Sequence, residues 1–244
     1  MIKDTQYGFE KHIFEYKKRK ITILLPHDKN PNNKWVWRAE FFGAFDYVDR
    51  ELLKDGWYVV HYDVKDMYGC DEAVKLMKDF HDYIVKSYAL SKKAAIFGFS
   101  RGGLYSVNYT LTYPKDIGLL YLDAPVLDIR SWPAGYKNGE GAPDCWEECK
   151  GWYNLTEETA KDFNKNPIDR ADELIATKIP LILVCGDSDT VVPFDENGKL
   201  LAQKYEADIN TKFKLIVKEG VGHHPHSLEN PQEIVEFIKN NIQN

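Results

Sequence analysis

The sequence predicts an α/β fold: a mostly parallel central sheet with helices on both faces. Short apolar runs of strand length alternate along the chain with amphipathic stretches of helix length. Several of these runs, such as Ala94–Gly98 and Leu181–Cys185, are apolar at nearly every position, as expected of buried strands. At 244 residues the chain is long enough for one large domain with a substantial core, expected to span residues 1–244.

In chain order, strands are expected at His12–Tyr16, Lys20–Pro26, Tyr58–Tyr62, Ala94–Gly98, Leu119–Asp123, Leu181–Cys185 and Lys212–Val217. Helices are expected at Ala39–Asp55, Asp71–Tyr88, Arg101–Tyr113, Glu196–Ala207 and Pro231–Asn241. Pro114 stops the third of these, because proline cannot continue a helix. The basic run Lys17-Lys18-Arg19-Lys20 lies between two strand segments and reads as a solvated hairpin turn. From Ile129 to Lys178 no strand signal occurs, and only Thr156–Asn164 reads as a short capped helix. A connection of that length in a compact domain is usually functional.

Charge and cysteine content narrow the function classes. The net charge is −6, and no concentrated basic face is in sight, which argues against a nucleic-acid partner. No apolar stretch reaches membrane-spanning length, and the N-terminus lacks a signal-peptide core. The expectation is no membrane partner and a cytoplasmic location as the sequence stands, or a periplasmic or secreted one if a leader has been removed. Cys185 lies in an apolar run and is expected to be a buried thiol. Cys145 and Cys149 are expected to be free thiols, a disulfide being open to them only outside regular helix.

Three segments carry the chemistry. Gly98-Phe99-Ser100-Arg101-Gly102-Gly103 puts a serine between a strand and a helix. At such a corner the hydroxyl is raised, glycines leave room for the turn, and the positive helix end faces a developing oxyanion. Gly186-Asp187-Ser188-Asp189-Thr190-Val191-Val192-Pro193 follows a later apolar run, and Gly220-Val221-Gly222-His223 follows the next. The chain order is therefore serine, acid, histidine.

Over nearly its whole length the chain resembles the α/β-hydrolase superfamily, and within it the esterase and the dienelactone-hydrolase/prolyl-oligopeptidase-like branches. Lys34-Trp35-Val36-Trp37-Arg38, Asp123-Ala124-Pro125-Val126, Asn166-Pro167-Ile168-Asp169 and Gly222-His223-His224-Pro225-His226-Ser227 resemble bacterial carbohydrate esterases linked to polysaccharide breakdown. The resemblance implies an α/β-hydrolase fold, an antiparallel edge hairpin from the first two strands, and a cap formed by the insertion at about residues 129–178. It implies Ser100 as nucleophile and His223 as general base. The family pattern Gly-x-x-Asp-x-x-Val-Pro selects Asp189 over Asp187 as the acid, leaving Asp187 to local loop bonds. The Arg101 N–H is implied as one oxyanion donor. The second is expected from the loop after Lys20–Pro26, where Pro26-His27-Asp28-Lys29 departs from the common His-Gly pattern; Trp37 and Lys29 are both candidates.

Substrate-binding candidates are Trp35, Arg38, Trp132, Trp146, Trp152 and His224. Flat aromatic surfaces suit sugar rings or aromatic acyl groups, although an irregular insertion also uses aromatics as its own small core. Arg38 and Arg130 could pair with a substrate carboxylate or tie loops to nearby acids. His223, His224 and His226 are also the residue type of a metal cluster, but with a serine motif present no metal and no cofactor is expected. The expected reaction is hydrolysis of carboxylic esters, of small molecules or of acetyl, methyl or feruloyl groups on plant polysaccharides, through an acyl-enzyme. The alternatives are a serine peptidase of prolyl-oligopeptidase type and a non-catalytic glycan-binding module, from which the complete Ser, Asp, His set distinguishes an enzyme.

Overall fold

The computed structural model describes residues 1–243; Asn244, the last residue of the expected domain, lies outside them. The chain opens with β1 (Ile2–Gln6), β2 (Phe9–Tyr16), β3 (Arg19–Leu25) and β4 (Trp35–Arg38), then α1 (Tyr47–Lys54) and β5 (Tyr58–Tyr62). It continues through α2 (Asp71–Tyr88), β6 (Ala94–Phe99), α3 (Gly102–Thr112) and β7 (Ile117–Asp123). The insertion carries α4 (Pro143–Tyr153), α5 (Glu157–Lys161) and α6 (Ala171–Ala176). The last elements are β8 (Leu181–Gly186), α7 (Gly198–Glu206), β9 (Phe213–Lys218) and α8 (Gln232–Asn241).

All the strands join one sheet in the order β1-β2-β3-β5-β4-β6-β7-β8-β9. The pairs β1–β2, β2–β3 and β3–β5 are antiparallel, and every pair from β5 to β9 is parallel. Alternation along each strand divides the core in two. Trp35, Trp37, Tyr58, Val60 and Ile96 face a layer that includes Phe80 and Ile84 of α2, Tyr109 of α3 and Leu174 of α6. Val36, Val59, Ala95 and Phe97 face the layer of α1 and α8, with Leu52, Leu53, Ile234 and Ile238. Both faces being covered is why these strands are apolar throughout.

The expected α/β-hydrolase architecture is present, with two corrections among its strands. β1 (Ile-Lys-Asp-Thr-Gln) has one apolar residue and sits exposed at the sheet edge, so it carries no apolar run; it displaces β2 from the edge by pairing Ile2 with Ile13. The stretch Trp35–Arg38, expected as loop, is a central strand between β5 and β6. Four residues are too few for a periodic signal; the strand is made by its two neighbours. The helix expected from Ala39 accordingly starts only at Tyr47.

The insertion forms a third apolar cluster. Ile129, Trp146, Cys149 and Ala160 pack there with Tyr68, Leu104 and Val192. Cys145 and Cys149 lie on the regular helix α4, and all four cysteines are free. Thr156 caps α5 through a reciprocal bond with Thr159, so the expected capped helix is present but ends at Lys161.

Asp128 anchors the start of the insertion. Its fully buried carboxylate accepts from the Arg130 N–H at 2.9 Å, from Arg130 Nε and Nη2 at 2.8 and 3.0 Å, and from Lys137 Nζ at 2.9 Å. Burial pushes this carboxyl up, but hydrogen bonds from Arg130 and Lys137 outweigh it and hold the group below the ordinary carboxylate range. A carboxyl lowered on folding contributes stability above its unfolded value, and that contribution is lost as pH falls through the folded value. Asp128→Asn should therefore lower stability by about 2 kcal/mol at neutral pH. Thermal melts of both proteins should converge as pH drops below about 4; a gap that stays constant across this range would show that the charge is immaterial.

Candidate active site

The site lies at the carboxyl ends of the parallel strands. β6 ends at Phe99, and Ser100 follows with φ +47°, in the left-handed region. Two bonds to the next strand hold it: the Ser100 N–H donates to Asp123 O, and the Val126 N–H donates to Ser100 O, both at 2.9 Å. A Cβ at Gly98 would stand 2.1 Å from Ser106 Oγ and 2.8 Å from Gly102 O. Only glycine there lets α3 start directly behind the serine.

Ser100, His223 and Asp189 form one hydrogen-bonded chain. His223 Nε2 is 2.9 Å from Ser100 Oγ, and His223 Nδ1 is 2.7 Å from Asp189 Oδ2. The other Asp189 oxygen accepts from the Val191 and Val192 N–H groups, each at 2.9 Å. Asp187 does not reach His223; its Oδ1 accepts from the Gly220 N–H at 2.7 Å and from Ser188 Oγ at 3.0 Å. That bond ties the loop after β8 to the loop after β9. The two loops also cross closely, since a Cβ at Gly186 would stand 2.1 Å from Val221 O.

The structure relocates the second oxyanion candidate. Trp37 is buried within the ladder between β5 and β6, its ring packed on Phe80 and Tyr109. Lys29 is exposed near Tyr58, at the opposite, N-terminal end of β5. The loop beside Ser100 is instead the one after β4. It is pinned by the Ala39 N–H to Phe97 O at 3.0 Å, and Glu40 lies against Gly102. Among the described residues the N–H groups of Glu40, Phe41 and Arg101 donate to no acceptor.

Arg38 holds this loop from within the core and presents no surface to a ligand. It is fully buried, its guanidinium 4.0 Å over the Phe99 ring, and Nη2 donates to Phe41 O at 3.0 Å and Ala44 O at 2.5 Å. Its Nη1 lies 3.6 Å from Asp49 Oδ2. Burial pushes the Asp49 carboxyl up, against the pull of Arg38. From above, Arg101 clamps the loop with Nε and Nη2 on Glu40 Oε2 at 3.0 and 2.8 Å.

The tryptophans separate. Trp35, like Trp37, is fully buried, its indole N–H on Ser91 O, so neither is a substrate surface. Trp146 is 5% exposed, belongs to the core of the insertion and donates to Glu157 Oε1 at 2.9 Å. Trp152 is exposed beside Asn108 and Thr112, late in α3. At about 1.5 Å per residue that is roughly 9–15 Å along the helix from the elbow. Only Trp132 approaches the site: its ring is 6.3 Å from Tyr68, which in turn lies 5.4 Å from the Arg101 guanidinium. Arg130 is paired with Asp128 and Asp169. His224 is exposed and stacks on Phe45 of the loop after β4.

Sequence reasoning missed a second buried acid–histidine pair. Asp123, wholly buried at the end of β7, accepts from the Ser227 N–H at 2.8 Å and Tyr121 Oη at 3.0 Å, and is 2.8 Å from His226 Nδ1. Its place at a strand's carboxyl end was the available signal. Glu40, Phe41 and Tyr68 were missed because the loops carrying them have no motif.

This fold and site define a hydrolase of the α/β-hydrolase type. The chain belongs to the prolyl oligopeptidase family, whose model matches residues 61–244. No curated protein matches it significantly. A Pyrococcus furiosus esterase superposes with a TM-score of 0.63 at 19% identity, covering 97% of this chain and 94% of that one. An α/β hydrolase from the sediment metagenome of the Mar Chica lagoon, Morocco, gives 0.60 at 16%, covering 94% and 96%. A puromycin-hydrolysing peptidase of Mycobacterium tuberculosis gives 0.72 at 13%, covering 98% of this chain but 40% of that one.

The burial of the tryptophans yields a direct test. Trp146→Ala should destabilise the protein by about 3–5 kcal/mol, as for other buried aromatics. Trp152→Ala should stay within about 0.5 kcal/mol, as for exposed positions. Chemical denaturation of both variants checks this, and equal losses would contradict the assignment of one to a core and the other to the surface.

Proposed function

We propose that the protein is a serine hydrolase that cleaves carboxylic esters through an acyl-enzyme on Ser100. The observation that supports this reading is the hydrogen-bonded chain from Ser100 through His223 to Asp189. His223 takes the hydroxyl proton on Nε2 as Ser100 Oγ attacks the ester carbonyl, then returns it to the leaving alcohol. Asp189 keeps the ring oriented and stabilises the imidazolium. The oxyanion is received by the Arg101 N–H and by an N–H of Glu40 or Phe41, at the positive end of α3. Water, activated by the same histidine, releases the acid. The reaction as read here uses no cofactor.

Esters rank first because the chain aligns with nearly the full length of the P. furiosus esterase. Among them we favour acetyl, methyl or feruloyl esters of plant polysaccharides, since the exposed ring of Phe41 beside Arg101 offers a flat face to a sugar or an aromatic acyl group. The carbohydrate-esterase likeness of the sequence points the same way. Peptide hydrolysis is the second reading, favoured by membership of the prolyl oligopeptidase family.

A fluorophosphonate probe should label the wild type and fail on Ser100→Ala. The best substrate from matched panels of p-nitrophenyl esters, acylated glycans and peptidyl p-nitroanilides should lose on the order of 10⁶-fold in kcat in that variant. Retention of more than a few per cent of activity would sink the mechanism. A panel turned over only on p-nitroanilides would replace the ester reading with the peptidase one, and a wild type that resists the probe would favour a binding module.

A further inference from the structure

Three imidazoles meet beside Ser100. The rings of His223, His224 and His226 stand in a triangle with all three centroid separations 4.9 Å and interplanar angles of 66°, 81° and 88°. One nitrogen from each lies within 4.8 Å of the others. Tetrahedral zinc with N ligands at about 2.0–2.1 Å needs nitrogens about 3.4 Å apart and ring centroids about 5.2 Å apart. The rings are already at that spacing, and the nitrogens need only side-chain adjustment to converge.

The surroundings of the triangle also fit a metal. A histidine that binds a metal through one nitrogen almost always presents the other to a carboxylate, carbonyl or water, which fixes the tautomer and strengthens the donor. Two of these three have that arrangement with a carboxylate. His223 Nδ1 is 2.7 Å from Asp189 and His226 Nδ1 is 2.8 Å from Asp123, with both carboxylates buried. In each case the nitrogen left over is Nε2. That of His226 makes no hydrogen bond among the described residues, and that of His223 has only Ser100 Oγ. His224 is exposed, with neither ring nitrogen hydrogen-bonded among the described residues. A His81–Asp82–Asp116 cluster has no such preparation, because Lys78 already bridges its two carboxylates and His81 Nε2 is bonded to Lys92 O.

We infer that His223, His224 and His226 form a site for an imidazole-preferring divalent transition metal, zinc or copper, that switches the hydrolase off by capturing its base. Imidazole sites of this kind take such ions in preference to magnesium or calcium. The metal accepts the Nε2 lone pair of His223, so Ser100 Oγ–H loses its proton acceptor; the Nδ1–H stays on Asp189 and no proton is released. The ion is an inhibitor and not a cofactor, which agrees with the serine chemistry expected from the sequence. Inhibition rests on the reading of His223 as base, whereas binding does not.

The two are tested separately. Chelator-stripped Ser100→Ala protein is titrated with ZnCl2 by calorimetry and with CoCl2 by visible absorption, where a four-coordinate nitrogen site gives intense d–d bands. One ion per chain is expected. His224→Asn, a surface change, should weaken binding at least about 100-fold, more than the roughly 10–100-fold that follows loss of an outer carboxylate partner, as in Asp123→Asn. Absence of binding overturns the site. So does binding that survives His224→Asn unchanged, which would place the ion elsewhere, for example at His81. In wild type, zinc should slow fluorophosphonate labelling in proportion to occupancy and EDTA should restore it. Labelling that proceeds unchanged at full occupancy overturns the inhibition. A wild type that never labels refutes the serine-hydrolase reading while the calorimetry still decides the site.

Discussion

A serine backbone at φ +47° is disfavoured by roughly 1–3 kcal/mol, and it persists only where the surroundings over-determine it. Here they do so through β7. The Ser100 N–H and carbonyl are both bonded to the segment Asp123–Val126, so the elbow cannot relax without unpairing the end of the neighbouring strand. The same contact sets the start of α3. Gly103 packs so tightly on this segment that a Cβ would stand 2.7 Å from Pro125 Cβ and from Val126 O. Serine, helix N-terminus and the β7 terminus thus form one rigid unit, and the remaining functional groups are arranged around it.

The neighbouring strands and the loops that follow them then deliver ionisable groups to this unit. β4 brings Arg38 below and Glu40 above the first loop, β7 brings Asp123, and the loops after β8 and β9 bring Asp189 and His223. Carboxylates are rarely buried without partners, and each of these is matched: Glu40 with Arg101, Asp123 with His226 and Asp189 with His223. Burial pushes the Glu40 carboxyl up despite Arg101, so the clamp on the loop after β4 is made against a desolvation cost. The return is position. Arg38 and Arg101 both fix this loop, whose Glu40 and Phe41 N–H groups donate to no acceptor among the described residues.

The legibility of this chain in its sequence follows from where information is local. Ser100, Asp189 and His223 could be located because each sits in a turn whose glycines are demanded by close backbone approach: Gly98 behind the serine and Gly186 under Val221. Long apolar strands and α2 were equally readable. β4 was not, because a four-residue strand is defined by its partners β5 and β6, which lie elsewhere in the chain. That single omission put Trp37 among the oxyanion candidates and Trp35 and Arg38 among the substrate contacts, whereas all three are buried in the strand. Trp146 and Trp152 could not be told apart for a related reason: both lie on α4, and only tertiary packing decides which side of that helix is covered. Asp123 and His226 are far apart in sequence and meet only across the closed sheet end.

The insertion is fastened to the acid loop more firmly than a hinged lid would be. Ser131 Oγ donates to Glu196 Oε2 at 2.5 Å and accepts from Asn197 Nδ2 at 3.1 Å, and the Leu127 N–H reaches Asn197 Oδ1 at 2.9 Å. Farther along, the Glu140 N–H donates to Thr190 O at 3.0 Å and Thr190 Oγ1 donates back to Glu140 Oε1 at 2.5 Å. Thr190 follows Asp189 directly. A rigid-body opening of the insertion would therefore either break these bonds or drag the loop after β8 and disturb the Asp189–His223 contact. The Asp189–His223 contact is thereby coupled, through Thr190, to the position of the insertion.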